Sequence, residues 1–300
     1  MPTVTRRMLA CLFALSLLAT TACGEDEDRQ PDASATGSEF GGAFADAEVY
    51  PVFASSEVVV GENRFLVGLL DSNDAPIGSA DLAVHIAFYA LDESETEPVF
   101  DTDMRFIETI PGERGLYVTQ ATFDSAGRWG AEVTVTGDGL DESVKAAFDV
   151  ARSGTTPEIG SRAPASDTPT AEDVRKLAEI STDPHPDPDF YELSIADAIA
   201  AKEPFVVVFS TPKFCTSQVC GPTLNIVKQA SKDFPRTNFI HVEVYTNLDD
   251  PANLKPVRAV REWGLPSEPW VFVVDARGRL AAKYEGTVTA TELDEALSAL

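Results

Sequence analysis

The 300-residue sequence predicts two domains, an all-β sandwich followed by an α/β domain. Three observations carry this reading. Apolar residues alternate with period two over 46–151, a stretch rich in Pro, Ser, Thr and Asp fills 152–190, and strand-like and helix-like segments alternate over 191–300. Hydrophobic residues make up 44% of the chain and mean hydropathy is −0.07, which is enough apolar material for real cores.

Charge narrows the function classes. Lys and Arg total 23 against 49 Asp and Glu, a net charge of −26. Binding to nucleic acid or to anionic lipid needs clustered cations, so no nucleic-acid partner is expected. Three His and three Met argue against a rich metal site, and neither a metal nor a cofactor is expected.

The first 22 residues read as an export signal. Arg6-Arg7 supply positive charge, Met8 to Ala19 is apolar, and Thr20-Thr21-Ala22 is a small-residue approach to Cys23. The apolar run is short for a membrane span. An ordinary signal peptide and an uncleaved anchor both fit this pattern. Leu18-Ala19-Thr20-Thr21-Ala22-Cys23 also resembles a bacterial lipobox, with Thr20 where Leu is usual. That resemblance implies that Cys23 becomes the lipidated first residue of an exported chain. The chain would then be held at the outer face of the cytoplasmic membrane or in the periplasm or outer membrane. Thr5-Arg6-Arg7 is a partial twin-arginine motif followed by Leu9-Ala10-Cys11. Loss of residues 1–22 removes two Arg and no acid, leaving 21 basic against 49 acidic residues, a net −28. Residues 23–45 are acidic and rich in Gly, Ser and Ala, the composition of a flexible tether.

Over 46–151, Leu82, Val84, Ile86 and Phe88 alternate with Ala83, His85, Ala87 and Tyr89. Phe65, Val67 and Leu69 repeat the pattern, as do Trp129, Ala131, Val133 and Val135. Turn residues such as Asp71-Ser72-Asn73-Asp74 and Gly137-Asp138-Gly139 separate the runs. About seven short strands at this spacing favour an antiparallel sandwich. The stretch from Gly115 to Trp129 resembles bacterial immunoglobulin-like domains of the YtkA/FixH kind, without core cysteines of the antibody type.

Residues 152–190 read as a linker and lead-in segment that few contacts cross, with a short helix over 171–180. Asp183 to Pro188 has proline at every second position and favours extended backbone. From 191 on, Ser194 caps a helix carrying Ile195, Ala198 and Ile199. Phe205 to Phe209 is a continuous apolar run, typical of a strand buried on both faces. A helix over about 222–234, a strand over 239–245, a helix over 254–263 and strands over 270–274 and 280–284 follow. Thr289 to Glu292 is a capping box that opens a last helix.

With Cys11 removed and Cys23 lipidated, Cys215 and Cys220 are left for redox chemistry in a compartment that permits disulfides. Phe209 to Cys215, Cys220-Gly221-Pro222, and Trp263 to Pro269 with the strand after it together resemble the thioredoxin-like superfamily over roughly the last 110 residues. The resemblance implies thiol–disulfide exchange with a protein substrate, and places Pro269 at the family's cis-proline position beside the substrate. Glu268 precedes it, and a carboxylate there raises a neighbouring thiol's pKa. The pair departs from the family in being Cys-x4-Cys, and Val208 stands where thioredoxins bury an acid. Counting from Phe209 makes Cys215 the nucleophile and Cys220 the resolving thiol. Counting from Gly-Pro puts Cys220 in the nucleophile's place and Thr223 in the second cysteine's. A bond needs Cα atoms within roughly 7 Å, whereas five residues of helix rise about 7.5 Å. Cys215 is therefore expected in a loop that bends back to Cys220.

Two other readings remain open. The cysteines are a structural disulfide in a non-catalytic interaction module, or they handle copper with a histidine. His241 lies mid-strand, His185 in the linker and His85 in the sandwich, positions that suit packing better than ligation. Trp129, Trp263 and Trp270 sit in apolar patterns and are expected in cores.

Overall fold

A computed structural model describes residues 40–41 and 47–300. Cys11, Cys23, the export signal and almost all of the tether lie outside the described residues. The described residues form one compact unit.

The expected architecture, an immunoglobulin-like sandwich followed by an α/β thioredoxin-like fold, is corrected by what the chain forms. It is mostly β. The first seven strands are β1 (Val49–Phe53), β2 (Gly61–Asp71), β3 (Ala83–Ala90), β4 (Phe100–Ile110), β5 (Arg114–Phe123), β6 (Gly127–Gly137) and β7 (Leu140–Val150). They join in one antiparallel order, β1-β2-β5-β4-β3-β6-β7. The strand that defeats the sandwich is β4. Its first half pairs with β3 at Met104–Val84, and its second half pairs with β5 at Arg105–Val118. The sheet curls until its ends nearly meet, with Phe53 of β1 and Phe148 of β7 in ring contact at 5.4 Å. The N–H of Ala151 donates to Val58 O and that of Val60 to Ala151 O, both at 2.9 Å. Period-two alternation specifies which face is buried. It does not specify whether sheets stack or curl, which is why the pattern alone misled.

Inside the curl, Phe65, Phe88, Phe123 and Trp129 are fully buried and pack edge to face, with ring centroids 4.9–5.4 Å apart along the Phe65–Phe88–Phe123–Trp129 chain. Tyr117 is buried and its hydroxyl donates to Ser79 O at 2.7 Å, so its polar end is satisfied.

The remainder contains α1 (Ile195–Ala201), β8 (Phe205–Ser210), α2 (Cys220–Asp233), β9 (Asn238–Glu243), β10 (Tyr245–Thr246), β11 (Lys255–Pro256), α3 (Arg258–Glu262), β12 (Trp270–Val274), β13 (Leu280–Glu285) and α4 (Ala290–Ser298). The main sheet runs β13-β12-β8-β9, and β8–β9 is its one parallel pair. The helices among the described residues are few and short, of 7, 14, 5 and 9 residues. The helix expected over 171–180 is two isolated 3-10 turns, Ala171–Asp173 and Leu177–Glu179, neither of which buries a residue. The helix expected over 254–263 shrinks to α3, because Lys255–Pro256 pairs as a strand with β10.

Every residue of β8 is buried. Phe205, Val207 and Phe209 pack on one face with Trp263 and Phe272, and Val206 and Val208 pack on the other with Leu224, Val227 and Leu293. Capping boxes at Ser194–Asp197 and Thr289–Glu292 fix the starts of α1 and α4. Trp129, Trp263 and Trp270 are all core residues, as expected.

The 152–190 stretch does not isolate the two sheets. Ala163 N–H donates to Gly278 O at 2.9 Å, and Gly264, in the left-handed region at φ 61°, lies so close to Thr155 O that a Cβ would overlap it. Charged pairs also cross. Arg64 Nε donates to Glu292 Oε1 at 2.7 Å and its Nη2 to Thr287 O at 2.9 Å. Glu57 accepts from Thr155 N–H at 2.7 Å, from the Thr156 hydroxyl at 2.6 Å and from Lys283 Nζ at 3.0 Å. Burial alone would raise the Glu57 carboxyl. The Thr156 hydroxyl and N–H and the Lys283 ammonium outweigh it and hold the group at about 2.

Because the folded pKa is depressed, this carboxylate stabilises the fold above its ordinary pKa near 4.5, and the contribution is lost as pH falls towards 2. Glu57→Gln should cost about 1–3 kcal/mol near neutrality and should flatten the pH dependence of stability between those limits. Thermal unfolding of both forms across that range checks it. Parallel pH profiles would sink the assignment.

Candidate functional site

The site is built at the end of β8. Thr211 follows the strand and is fully buried, and its carbonyl accepts from Phe214 N–H at 3.2 Å and Cys215 N–H at 3.0 Å. This turn lifts Cys215 out of the sheet, and Gln218, at φ 64°, turns the loop back. Val219 then caps α2, whose first residue is Cys220. Cys215 and Cys220 form a disulfide with Cα atoms 6.0 Å apart. Cys215 is in the loop and Cys220 in the helix, the arrangement the helix-rise argument demands.

The two sulfurs differ in environment. Cys220 is fully buried and Cys215 is partly exposed. The N–H of Cys220 donates to Cys215 Sγ at 3.4 Å, and the Ser217 hydroxyl lies 3.2 Å from the same sulfur. A helix N-terminal N–H and a hydroxyl both favour a thiolate over a thiol at that position.

Glu268 and Pro269 precede β12, joined by a cis peptide bond. Pro269 is buried, and its carbonyl accepts from Gly286 N–H at 2.9 Å. Gly286 O in turn accepts from the Thr223 hydroxyl at 3.3 Å, which ties the proline turn to the first turn of α2. Glu268 is half-buried, and burial, with the nearby Glu243 charge second, pushes its carboxyl up. Ser217, Val219 and Glu268 line one cleft of about 410 Å³. The opposite wall comes from the outer face of the first sheet, at Val52, Leu66, Gly68 and Leu116. Arg114 Nη2 donates to Gln218 Oε1 at 2.9 Å, a direct link from the first sheet to the cysteine loop.

Sequence reasoning missed this cleft wall and a buried polar cluster under the loop. His241 Nδ1 lies 2.7 Å from the Tyr191 hydroxyl and Nε2 lies 2.9 Å from the Ser210 hydroxyl. Burial pushes His241 down to about 4, so it is neutral near pH 7. Glu243 accepts from the Thr182 hydroxyl at 2.6 Å and N–H at 2.8 Å, yet burial still pushes its carboxyl up. The signal was available: His241 and Glu243 are two polar residues two apart on a strand, hence on one face. With both ring nitrogens engaged, His241 is a packed strand residue. His85 is paired with Asp101 and Asp103 on the first sheet. Among the described residues, no group of three or more His, Cys, Asp or Glu is placed to hold a metal ion.

Comparison with family models finds no match, and comparison with curated proteins finds none either. Solved structures resemble about a third of the chain. A β-glucuronidase from Parabacteroides merdae, with glycerol in its active site, is 15% identical over 37% of this chain and 15% of that one, with a TM-score of 0.24. A superoxide reductase (neelaredoxin) from Ignicoccus hospitalis is 17% identical over 38% of this chain and 90% of that one, with a TM-score of 0.22. The CARDB domain of a Pyrococcus furiosus protein, solved with di-metal ions, is 14% identical over 35% of this chain and 87% of that one, with a TM-score of 0.19. The matched segment spans 20% or less of the first four structures. Likeness at this level says nothing about the fold or chemistry of this chain.

Glu268 is the test of the site's electrostatics. Glu268→Thr should speed alkylation of the reduced protein by about threefold near neutral pH, and the difference should close at high pH, where the thiol is ionised in both forms. Iodoacetamide kinetics across pH measure this. Identical profiles would remove Glu268 from any role at the thiol.

Proposed function

We propose that this chain is an exported, membrane-anchored thiol–disulfide oxidoreductase that works through Cys215 and Cys220 on protein substrates. The observation that carries the reading is the asymmetric disulfide. One sulfur is partly exposed and receives an N–H from the start of α2, and the other is fully buried beneath it. The disulfide is also consistent with a compartment outside the cytoplasm. The lipidated Cys23 rests on the lipobox resemblance and is part of the same proposal.

In the reduced protein the Cys215 thiolate attacks a substrate disulfide. A Cys215–substrate bond forms and one substrate sulfur leaves as thiolate. Cys220 loses its proton, attacks Cys215 Sγ and releases the second substrate thiolate, which leaves the disulfide seen here. Run backwards, the same steps oxidise a substrate dithiol. Cys215 is the nucleophile because an attacking sulfur must reach solvent, and Cys220 is the resolving thiol because it cannot.

Cys220→Ser should therefore accumulate a stable mixed disulfide with a thiol-reactive protein substrate such as partly unfolded insulin, and Cys215→Ser should accumulate none. Non-reducing gels and intact mass read this directly. Trapping through Cys220 alone would reverse the roles, and no exchange by the parent protein would end the redox reading.

A further inference from the structure

The first sheet has an anomaly on its outer face. Within β2, Phe65, Val67 and Leu69 point into the curl, so Leu66, Gly68 and Leu70 point out. A face open to water is ordinarily polar. Here Leu66, Ile107 and Val118 are buried outside the curl as a separate apolar cluster, with Ala54 and Leu116 against it. Part of that face is covered by the chain, and part forms the wall of the cleft beside the disulfide. Val52, on the terminal strand β1, is 42% exposed at this wall. Gly68 forms its floor. A Cβ there would lie 3.2 Å from a Leu116 methyl and 3.8 Å from Val52 O, so the missing side chain keeps the cleft deep.

We infer that this wall is the substrate-reading surface of the proposed oxidoreductase. It holds an extended segment of unfolded polypeptide with an apolar residue next to the reacting cysteine. The inference rests on the redox reading above and deepens it. Three features select this occupant. The cleft reaches the loop of the partly exposed sulfur through Val219 and through Ser217, whose hydroxyl lies 3.2 Å from Cys215 Sγ. Its 410 Å³ falls in the range of sites that take several side-chain-sized groups, roughly 300–1,000 Å³. Its edge is the terminal strand β1, along which an extended segment can lie. Glu268 at the rim adds a charge rule, because an acidic neighbour in the substrate would meet it. Unfolded chains expose the cysteines and large apolar residues that folding most often buries.

The test uses the oxidised protein and two short single-cysteine peptides, identical except for leucine or aspartate beside the cysteine. The peptide thiolate attacks Cys215 Sγ, the Cys215–Cys220 bond breaks and Cys220 leaves as thiolate, so formation of the mixed disulfide is read by mass. Each rate is divided by that of dithiothreitol on the same protein, which reports disulfide reactivity alone. The leucine peptide should react about tenfold faster than the aspartate peptide. Val52→Asp, a change at an exposed position that leaves both cores untouched, and Gly68→Val, which fills the floor, should each bring the ratio close to one. Equal rates in the parent protein, with dithiothreitol reacting, overturn the inference and leave the redox reading standing. A ratio that survives both substitutions also overturns it. A disulfide that no thiol reduces overturns both.

Discussion

Burial of β8 on both faces is the constraint on which the site depends. Five consecutive apolar residues, Phe205 to Phe209, can be satisfied only at the centre of a layered structure, and that is where the strand lies, between β12 and β9. Once it is fixed there, the chain must leave the sheet at Thr211, and the turn that accepts two N–H groups on one carbonyl sets where Cys215 emerges. Helix α2 returns under the same constraint, since Leu224 and Val227 must cover Val206 and Val208. The position of Cys220 at the first turn of α2 is thus a consequence of core packing. The disulfide joins two points that the hydrophobic core has already brought close. Its contribution is local, closing a short loop, and it is not what holds the sheet together.

The second level is electrostatic. A chain this acidic repels itself, yet its few cations are placed where they count. Arg64 and Lys283 each meet a carboxylate between the two sheets, in pairs whose side chains are only 9–21% exposed. Pairs so shielded from solvent are costly to break from one side, because the survivor stays desolvated. They also act in a useful direction. Both grip the second sheet at or near β13 and α4, which holds the first sheet's outer face opposite the cysteine loop. The opposite electrostatic arrangement lies on the far side of the cleft, where burial pushes up both Glu243 and Glu268 and the Glu243 charge adds to the shift of Glu268. Negative charge stabilised between the sheets at Glu57 and Glu292 and destabilised at Glu243 and Glu268 is a division that the overall charge of −26 conceals.

The parts legible in the sequence are those set by local rules. The Phe205–Phe209 run fixes a central strand, Ser194 and Thr289 fix helix starts, and the rise of a helix alone places Cys215 in a loop. Pairing between distant strands was not legible. Nothing in Phe100 to Ile110 shows that its two halves serve different neighbours, because that depends on how β3 and β5 are positioned by other contacts. The same holds for the missing helix at 171–180. Its apolar spacing is real, but Leu177 and Ile180 pack only at the edge of a core, too little burial to offset the ordering of three turns. The charged partners of Glu57 and Arg64, Lys283 and Glu292, are more than two hundred residues away in sequence, so no local pattern shows the pairing.

The cleft illustrates why sites of this kind escape sequence reading and yet follow from it. Leu66, Leu116 and Val118 alternate with residues of the inner core, so strands β2 and β5 are apolar on both faces. In isolation that pattern argues for a sheet buried on both faces. The cover is incomplete, because the cysteine loop is held up by Gln218 and Arg114 instead of collapsing onto the sheet. Gly68 then removes the one side chain that would have filled the gap. An apolar surface left open beside a partly exposed sulfur costs stability through unburied area, roughly 25 cal/mol per Å². A protein that retains such a surface next to its one disulfide among the described residues gains most if something apolar occupies it during the proposed exchange. The geometry of the loop and the chemistry of the wall are the two supports of the proposed exchange, in which a substrate thiol arrives with its hydrophobic neighbour already seated.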